Sequence, residues 1–496
     1  MTPPMTRVAR LLPSQAKRAR GRAWLVLGLC ILGQSANAAD LLAVYQRALQ
    51  NDPQLREAEA NRLAALEAKP QAVAALLPQL NGSAQIAKEH DEGYDNQAFT
   101  ESFPQPNGTL QTGVFQTPFN GTTSTTNRVY RLDLKQNLFN WTNWVALKTA
   151  DSQVAQAEAD YQAAQQDLIE RVSERYFNVL SAQDDLEAQQ AALVSINRQL
   201  DQAESRYQIG LIAITDVEEV RASHDSTVAA VIDAKRTLAS NQELLREITG
   251  EGFDFLARPI EPFNLPSPDP LGEDQWVSMA LQQNLSLVSS RLAADIAREN
   301  IGSAEGGHLP SLDLVASRFK TITDVTNDYS TGGFEGSTAL NQSSRSIGLQ
   351  LTFPLYSGGA VSSQVRKAVY LHRAAKERLE RVARGTERDT RDAYLGVLSE
   401  ISRVKALKRA LESNTIALQA TEAGYEAGTR TAVEVLESRR LWTQAQTNYS
   451  RSRYDYLINM IKLQQAAGIL SEQSLGHVNT WLKDLPPAAA EAPTKP

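Results

Sequence analysis

The chain has 496 residues, with 50 Lys+Arg against 57 Asp+Glu for a net charge of −7, and a single cysteine, Cys30. An acidic balance makes it a poor partner for nucleic acid. Cys30 falls in a segment expected to be removed, which excludes disulfides, zinc-thiolate centres and cysteine nucleophiles from the remainder.

Residues 1–38 read as a secretory signal. Arg7, Arg10, Lys17, Arg18, Arg20 and Arg22 form a basic stretch without acids, residues 23–33 are apolar, and Ala36-Asn37-Ala38 is a small-x-small cleavage site. The apolar run is too short for a membrane anchor, which needs roughly 18–20 residues. Leu29 stands before Cys30 where lipidation would ask for a small residue, so a lipoprotein is not expected. No later stretch qualifies as a membrane helix, so a mature chain that crosses a membrane must do so as a closed barrel.

The first repeat is expected over 39–270. A strand at about 79–90 is followed by a polar Gly/Thr/Asn/Ser-rich loop, 91–127, and a second strand at about 128–140. There Tyr130, Leu132 and Leu134 alternate with Arg131, Asp133 and Lys135. Phe139, Trp141 and Trp144 sit where this strand gives way to helix, the place of an interfacial aromatic girdle. Residues 141–209 contain neither Gly nor Pro, on the order of 100 Å if helical. Leu147, Val154, Tyr161 and Leu168 recur every seven residues; after a four-residue slip the register continues at Val172, Val179, Leu186, Leu193, Leu200 and Tyr207. A second helix is expected over 215–249.

The second repeat, 271–484, restates this pattern. Leu77-Pro78-Gln79-Leu80 returns as Leu309-Pro310-Ser311-Leu312, and Tyr207-Gln208-Ile209-Gly210 as Tyr425-Glu426-Ala427-Gly428. Strands are expected at about 311–322 and 344–357 around a polar loop, 323–343, with helices over 360–427 and 431–467. The tail, 485–496, is Pro/Ala-rich and reads as disordered. The fold class is thus mostly α with a small β contribution, two repeats of long antiparallel helices plus two strands each. Four strands cannot close a barrel, for which about eight is the minimum, so copies must share it. Strand counting leaves two or three copies open.

The five histidines, His90, His224, His308, His372 and His477, are isolated and lack metal-ligand spacing. There is no glycine-rich phosphate loop and no nucleophile elbow. No cofactor, no metal and no catalysis are expected.

Gly210-Leu211-Ile212-Ala213-Ile214-Thr215-Asp216-Val217, Gly307-His308-Leu309-Pro310-Ser311-Leu312-Asp313-Leu314, Gly428-Thr429-Arg430-Thr431 and Tyr456-Leu457-Ile458-Asn459 resemble the TolC family of outer-membrane channel-tunnel proteins. The resemblance covers nearly all of residues 40–484. It implies a homotrimer in the outer membrane, with a 12-stranded β-barrel on a periplasmic α-helical barrel. The implied partners are a periplasmic adaptor and an inner-membrane pump or ABC transporter, besides outer-membrane lipid. The implied role is an exit duct for tripartite efflux or type I secretion, opened by an iris-like movement of the periplasmic helices.

The family's periplasmic gate network maps onto Gln199, Thr215, Asp216, Glu422, Tyr425 and Arg430. Arg430 could offer its planar fork to Asp216, and Tyr425 a hydroxyl. Thr215-Asp216-Val217-Glu218 and Thr431-Ala432-Val433-Glu434 also read as capping boxes. Glu434 and Glu437 lie on one helix face and, in three copies, make an acidic entrance ring. The family's namesake has aspartates at both positions. Crowded like charges should raise some of these carboxyl pKa values and favour cations. The competing reading is a periplasmic coiled-coil adaptor or structural protein, which accounts for the long helices but not for four alternating strands.

Overall fold

A computed structural model of the chain describes residues 39–253, 255–260, 263, 265–329 and 336–483. The expected signal segment and the tail 485–496 lie outside the described residues.

Four strands make one antiparallel sheet in the order β1-β2-β4-β5: β1 Gln79–Pro104, β2 Leu110–Phe139, β4 Ser311–Tyr329 and β5 Gly336–Thr352. The two polar loops expected at 91–127 and 323–343 are corrected by this ladder. Pairing from Gln79↔Lys135 to Pro104↔Leu110 is unbroken, and that from Ser311↔Thr352 to Asn327↔Gly336 likewise. Threonine is β-branched and favours a pleated strand, so a Thr/Asn/Gly-rich stretch can satisfy its backbone in a ladder. The β1–β2 reversal is a tight turn in which Gly108 takes φ 77° and donates to the carbonyl of Gln105 at 2.9 Å. The last strand stops at Thr352, short of the expected 357.

Partners across a ladder point to the same side of a sheet. Leu80, Leu134, Ala316 and Ile347 therefore share one face, and Leu314 and Leu349 extend it. Their face is open: Leu80, Leu132, Ile347 and Leu349 are all exposed. The opposite face carries Asp133, Lys135 and Asp313, with Lys135 Nζ 3.0 Å from Asp313 and Asn137 Nδ2 donating to Asp313 at 3.0 Å. The apolar side is outside and the polar side inside, the reverse of a soluble β-sandwich. Both sheet edges, β1 and β5, lack a partner among the described residues.

From the sheet, α4 (Trp141–Gln208) and α8 (Ala360–Glu426) run away as single helices, each about 100 Å long at 1.5 Å per residue. Each turns sharply and returns as a shorter helix, α5 (Ile214–Thr249) or α9 (Ala432–Ala466). The remaining length beside α4 and α8 is covered by α1 (Leu41–Asn51), α2 (Pro53–Leu66) and α3 (Ala68–Ala74), and by α6 (Glu273–Gln283) and α7 (Leu285–Glu305). A short strand β3 (Arg258–Pro259) pairs with β6 (Leu482–Lys483), and α10 (Glu472–Asn479) precedes the latter.

The main core lies midway, where these short elements wrap the long ones. Tyr176, Phe177, Leu180, Tyr454, Tyr456 and Leu457 are fully buried there. Tyr176 donates its hydroxyl to the Ala257 carbonyl at 2.8 Å, and Tyr456 to that of Pro266 at 2.7 Å. Asp52, 2% exposed, caps α2 through the Leu55 amide at 2.9 Å and meets Arg171 Nη2 at 2.9 Å. Burial pushes its carboxyl up, but the Arg171 guanidinium and the Leu55 amide outweigh burial and hold it low. In the second repeat Asn284 occupies the equivalent helix break, capping Leu287 at 3.1 Å without a charge.

Candidate site: the helical hairpin turns and the belt of the sheet

Both turns use the same backbone device. Gly210 and Gly428 take φ 78°, a left-handed conformation that favours glycine. The Leu211 amide reaches back to the Arg206 carbonyl at 2.9 Å, and the Thr429 amide to that of Gly424 at 2.8 Å, the six-residue closure that ends a helix. The chain thus reverses twice at the end of the molecule farthest from the sheet.

Just behind each turn a Glu–Arg rung joins the two helices of the hairpin. Glu204 meets Arg221 at 2.9 Å between α4 and α5. Glu422 meets Arg439 between α8 and α9, again 17 residues apart in sequence. The sequence reading missed Arg221, Arg439 and Glu204, although the repeat offset that pairs Tyr207 with Tyr425 also pairs these rungs. The second rung is the more enclosed: the Arg439 side chain is 17% exposed, and its Nε and Nη1 lack a hydrogen-bond partner among the described residues. Ser438 donates to Thr421 at 3.2 Å and Trp442 Nε1 to Thr415 at 3.0 Å, lacing the same hairpin.

The gate residues are only partly assembled in one chain. Gln199 and Tyr425 line the same small cavity, with Val220, Ala432 and Leu436, and the Gln199 Oε1 is buried without a partner among the described residues. Arg206 stacks its guanidinium over the Tyr425 ring, 4.9 Å from the centroid, so the aromatic face meets the first hairpin. Arg430 does not reach Asp216; its Nη1 lies 2.6 Å from Glu434 one turn on. Glu422 is taken by Arg439. Thr215 is exposed and Asp216 half-buried in the first turn of α5, where Asp216 has no side-chain partner among the described residues.

Only one of the two expected capping boxes forms. Thr431 caps α9: its hydroxyl accepts the Glu434 amide at 3.3 Å while the Glu434 carboxylate accepts the Thr431 amide at 2.8 Å. In the first repeat Ala213 holds the cap position and offers no side chain, so Thr215 lies inside the helix.

The expected rise in the carboxyl pKa values of Glu434 and Glu437 is reversed within the chain. The Thr431 amide, and after it Arg430, hold Glu434 below the usual glutamate range. Arg440 holds Glu437 down through a two-pronged pair, Nε at 2.9 Å and Nη2 at 2.6 Å. Each carboxylate of the proposed ring carries its own arginine.

At the other end, Phe139, Trp141 and Trp144 are exposed at the junction of β2 and α4, and Trp141 Nε1 donates to the Gly302 carbonyl at 3.1 Å. Tyr356, beyond β5, is exposed at the corresponding junction of the second repeat and was not singled out from the sequence. No helix among the described residues is long and apolar enough to cross a membrane, and no group of His, Cys, Asp and Glu there could hold a metal ion.

The family described as outer membrane efflux protein matches residues 44–251 and 276–469. The chain is 36% identical over 457 residues to the outer membrane protein TolC of Vibrio cholerae serotype O1, covering 91% of this chain and 96% of that one. It is 27% identical over 473 residues to the proteases secretion protein PrtF of Dickeya chrysanthemi, covering 93% and 95%. Among solved structures, the Campylobacter jejuni CmeC outer membrane channel superposes with a TM-score of 0.67 over 90% of each chain at 18% identity.

Proposed function

This chain belongs to the outer membrane efflux protein family, and from that premise we propose that three copies form one continuous exit duct. It is an outer-membrane protein, and export is its role. In our reading the two repeats, 39–270 and 271–484, each contribute two strands to a shared 12-stranded barrel and one long helical hairpin to a periplasmic tube. The observation that carries it is the four-stranded sheet, apolar outside and polar inside with both edges unpaired among the described residues, continued by two helical hairpins closed by the same glycine turn. A sheet of that polarity is stable only when lipid covers its outer face and its edges meet further strands.

The turns would converge at the periplasmic mouth, where Gln199, Thr215, Asp216, Glu422, Tyr425 and Arg430 form the gate and Glu434 and Glu437 the entrance ring. Arg430 and Asp216, apart within one chain, would then meet between copies. A periplasmic adaptor docks at this end and connects the duct to an inner-membrane pump or ABC transporter. Likeness to a proteases secretion protein favours type I secretion as one route of use. The duct is passive and carries no catalytic step.

Single-channel recording of the mature protein in planar bilayers tests this, alongside sizing of the purified assembly. A small, stable conductance from a three-copy assembly is expected. A chain that stays monomeric and inserts into no membrane would return the reading to a periplasmic coiled-coil protein.

A further inference from the structure

On the outward face of the sheet, the first residue beyond the apolar run is a cation on every strand. Ile86 is followed on that face by Lys88, Tyr130 by Arg128, Ala316 by Arg318 and Ile347 by Arg345. Arg318 and Arg345 share one ladder row, while Arg128 and Lys88 come four and six rows higher. The boundary is therefore oblique to the ladder, as tilted strands in a barrel require if it is to be level in a membrane.

Two features separate this collar from ordinary surface charge. Arg318 and Arg345 face each other directly across the β4–β5 ladder, a like-charge pairing that destabilises a sheet. Lys320, the next outward residue on β4, adds a third cation and stands opposite Tyr130. Arg128 is neutralised by Asp324 at 2.7 Å, but Arg318, Lys320 and Arg345 are all exposed and have no carboxylate partner among the described residues. The apolar belt beneath them places acyl chains on one side and headgroups at their level.

We propose that Arg318, Lys320 and Arg345 form a binding site for the phosphate groups of outer-leaflet lipid, with the planar guanidinium forks of the two arginines sharing one phosphate. The proposal rests on the outer-membrane reading above, which sets lipid against this face. A bound dianion turns the opposed arginines from a repulsive pair into a bridged one and fixes the depth of the barrel in the membrane.

The test uses the full mature protein in phosphatidylcholine vesicles that contain either phosphorylated lipid A or the same lipid A after dephosphorylation. The reading is the temperature at which the assembled species dissociates on a gel. The wild type dissociates at a higher temperature with the phosphorylated lipid. That difference is lost in R318Q/R345Q and largely kept in R318K/R345K, which preserves charge. Equal temperatures for the wild type in the two lipids, or an undiminished difference in R318Q/R345Q, overturns the proposal. Inorganic phosphate that reproduces the shift in detergent overturns the assignment to lipid and leaves a site for free anions. A wild type that inserts into neither vesicle strikes the duct reading itself and this proposal with it, whereas insertion without phosphate dependence strikes the proposal alone.

Discussion

The two repeats share a backbone plan and differ in how firmly side chains hold it. Gly210 and Gly428 close their helices in the same way, and a Glu–Arg rung stands behind each. At the second hairpin Thr431 and Glu434 cap the returning helix, Arg430 braces the cap, and the rung is enclosed. At the first, Ala213 leaves the cap empty and the rung lies open to solvent. At the mid-height core the asymmetry runs the other way: the first repeat has the charged Asp52–Arg171 pair where the second has neutral Asn284. Duplication preserved the geometry, then, and each copy was reinforced at a different end. The second hairpin is thus the more tightly held of the two and the first the looser.

Removing the core reinforcement should produce the largest effect. Arg171→Met leaves Asp52 buried beside an apolar side chain, and breaking a buried pair from one side costs on the order of 3–5 kcal/mol. The expected outcome is a strongly lowered dissociation temperature, partly restored by adding Asp52→Asn, which makes the site resemble the second repeat. If Arg171→Met alone is silent, the charge at this break does not matter and the contrast between the repeats loses its first support.

The rungs sharpen the comparison next. Glu422→Ala strands Arg439 in a site where two of its nitrogens already lack partners among the described residues. We expect a destabilisation of about 2–3 kcal/mol, somewhat below the cost of breaking a fully buried pair, and a larger conductance. Glu204→Ala breaks the equivalent pair in the open, where solvent replaces it and little changes. Equal effects from the two substitutions would show that burial does not distinguish the hairpins.

Caps come third. Thr431→Ala removes a formed N-cap at about 1 kcal/mol, whereas Thr215→Ala touches no cap. The same cap predicts an acid response. The Glu434 carboxyl is held below its ordinary range, so its contribution is complete above the unfolded value and is lost as pH falls through the depressed folded value. Mean conductance should therefore rise on acidification in the wild type and be less sensitive to acid in Thr431→Ala, as recorded in bilayers at a series of pH values.

How much of this could be read beforehand follows from what each feature depends on. The repeat, the long helices and the strand–helix junction that carries Phe139, Trp141 and Trp144 depend on local spacing and apolar pattern, which the sequence carries openly. The length of the β1–β2 ladder was misread because Gly, Thr and Asn between residues 91 and 127 resemble a loop by composition, although Pro106-Asn107-Gly108 was a readable hairpin turn. The first capping box failed because a helix start depends on the residue before it: α5 begins at Ile214 with Ala213 as its cap, two positions too early for Thr215 to cap. Within one chain Arg430 turns to Glu434 and not to Asp216, because Glu434 lies four residues on along its own helix and needs no distant segment brought to it.

The smallest expected effect discriminates most finely between a hydrogen-bonding role for Tyr425 and a packing role. Within the chain its ring supports Arg206 at 4.9 Å, an arrangement that does not use the hydroxyl. Tyr425→Phe keeps the ring and should leave conductance close to that of the wild type, while Tyr425→Leu removes the aromatic face and should widen the channel. If Tyr425→Phe alone opens it as far as Tyr425→Leu, the hydroxyl must reach an acceptor on a neighbouring copy. The second hairpin would then be held from outside its own chain, and its tightness would belong to the assembly more than to the repeat.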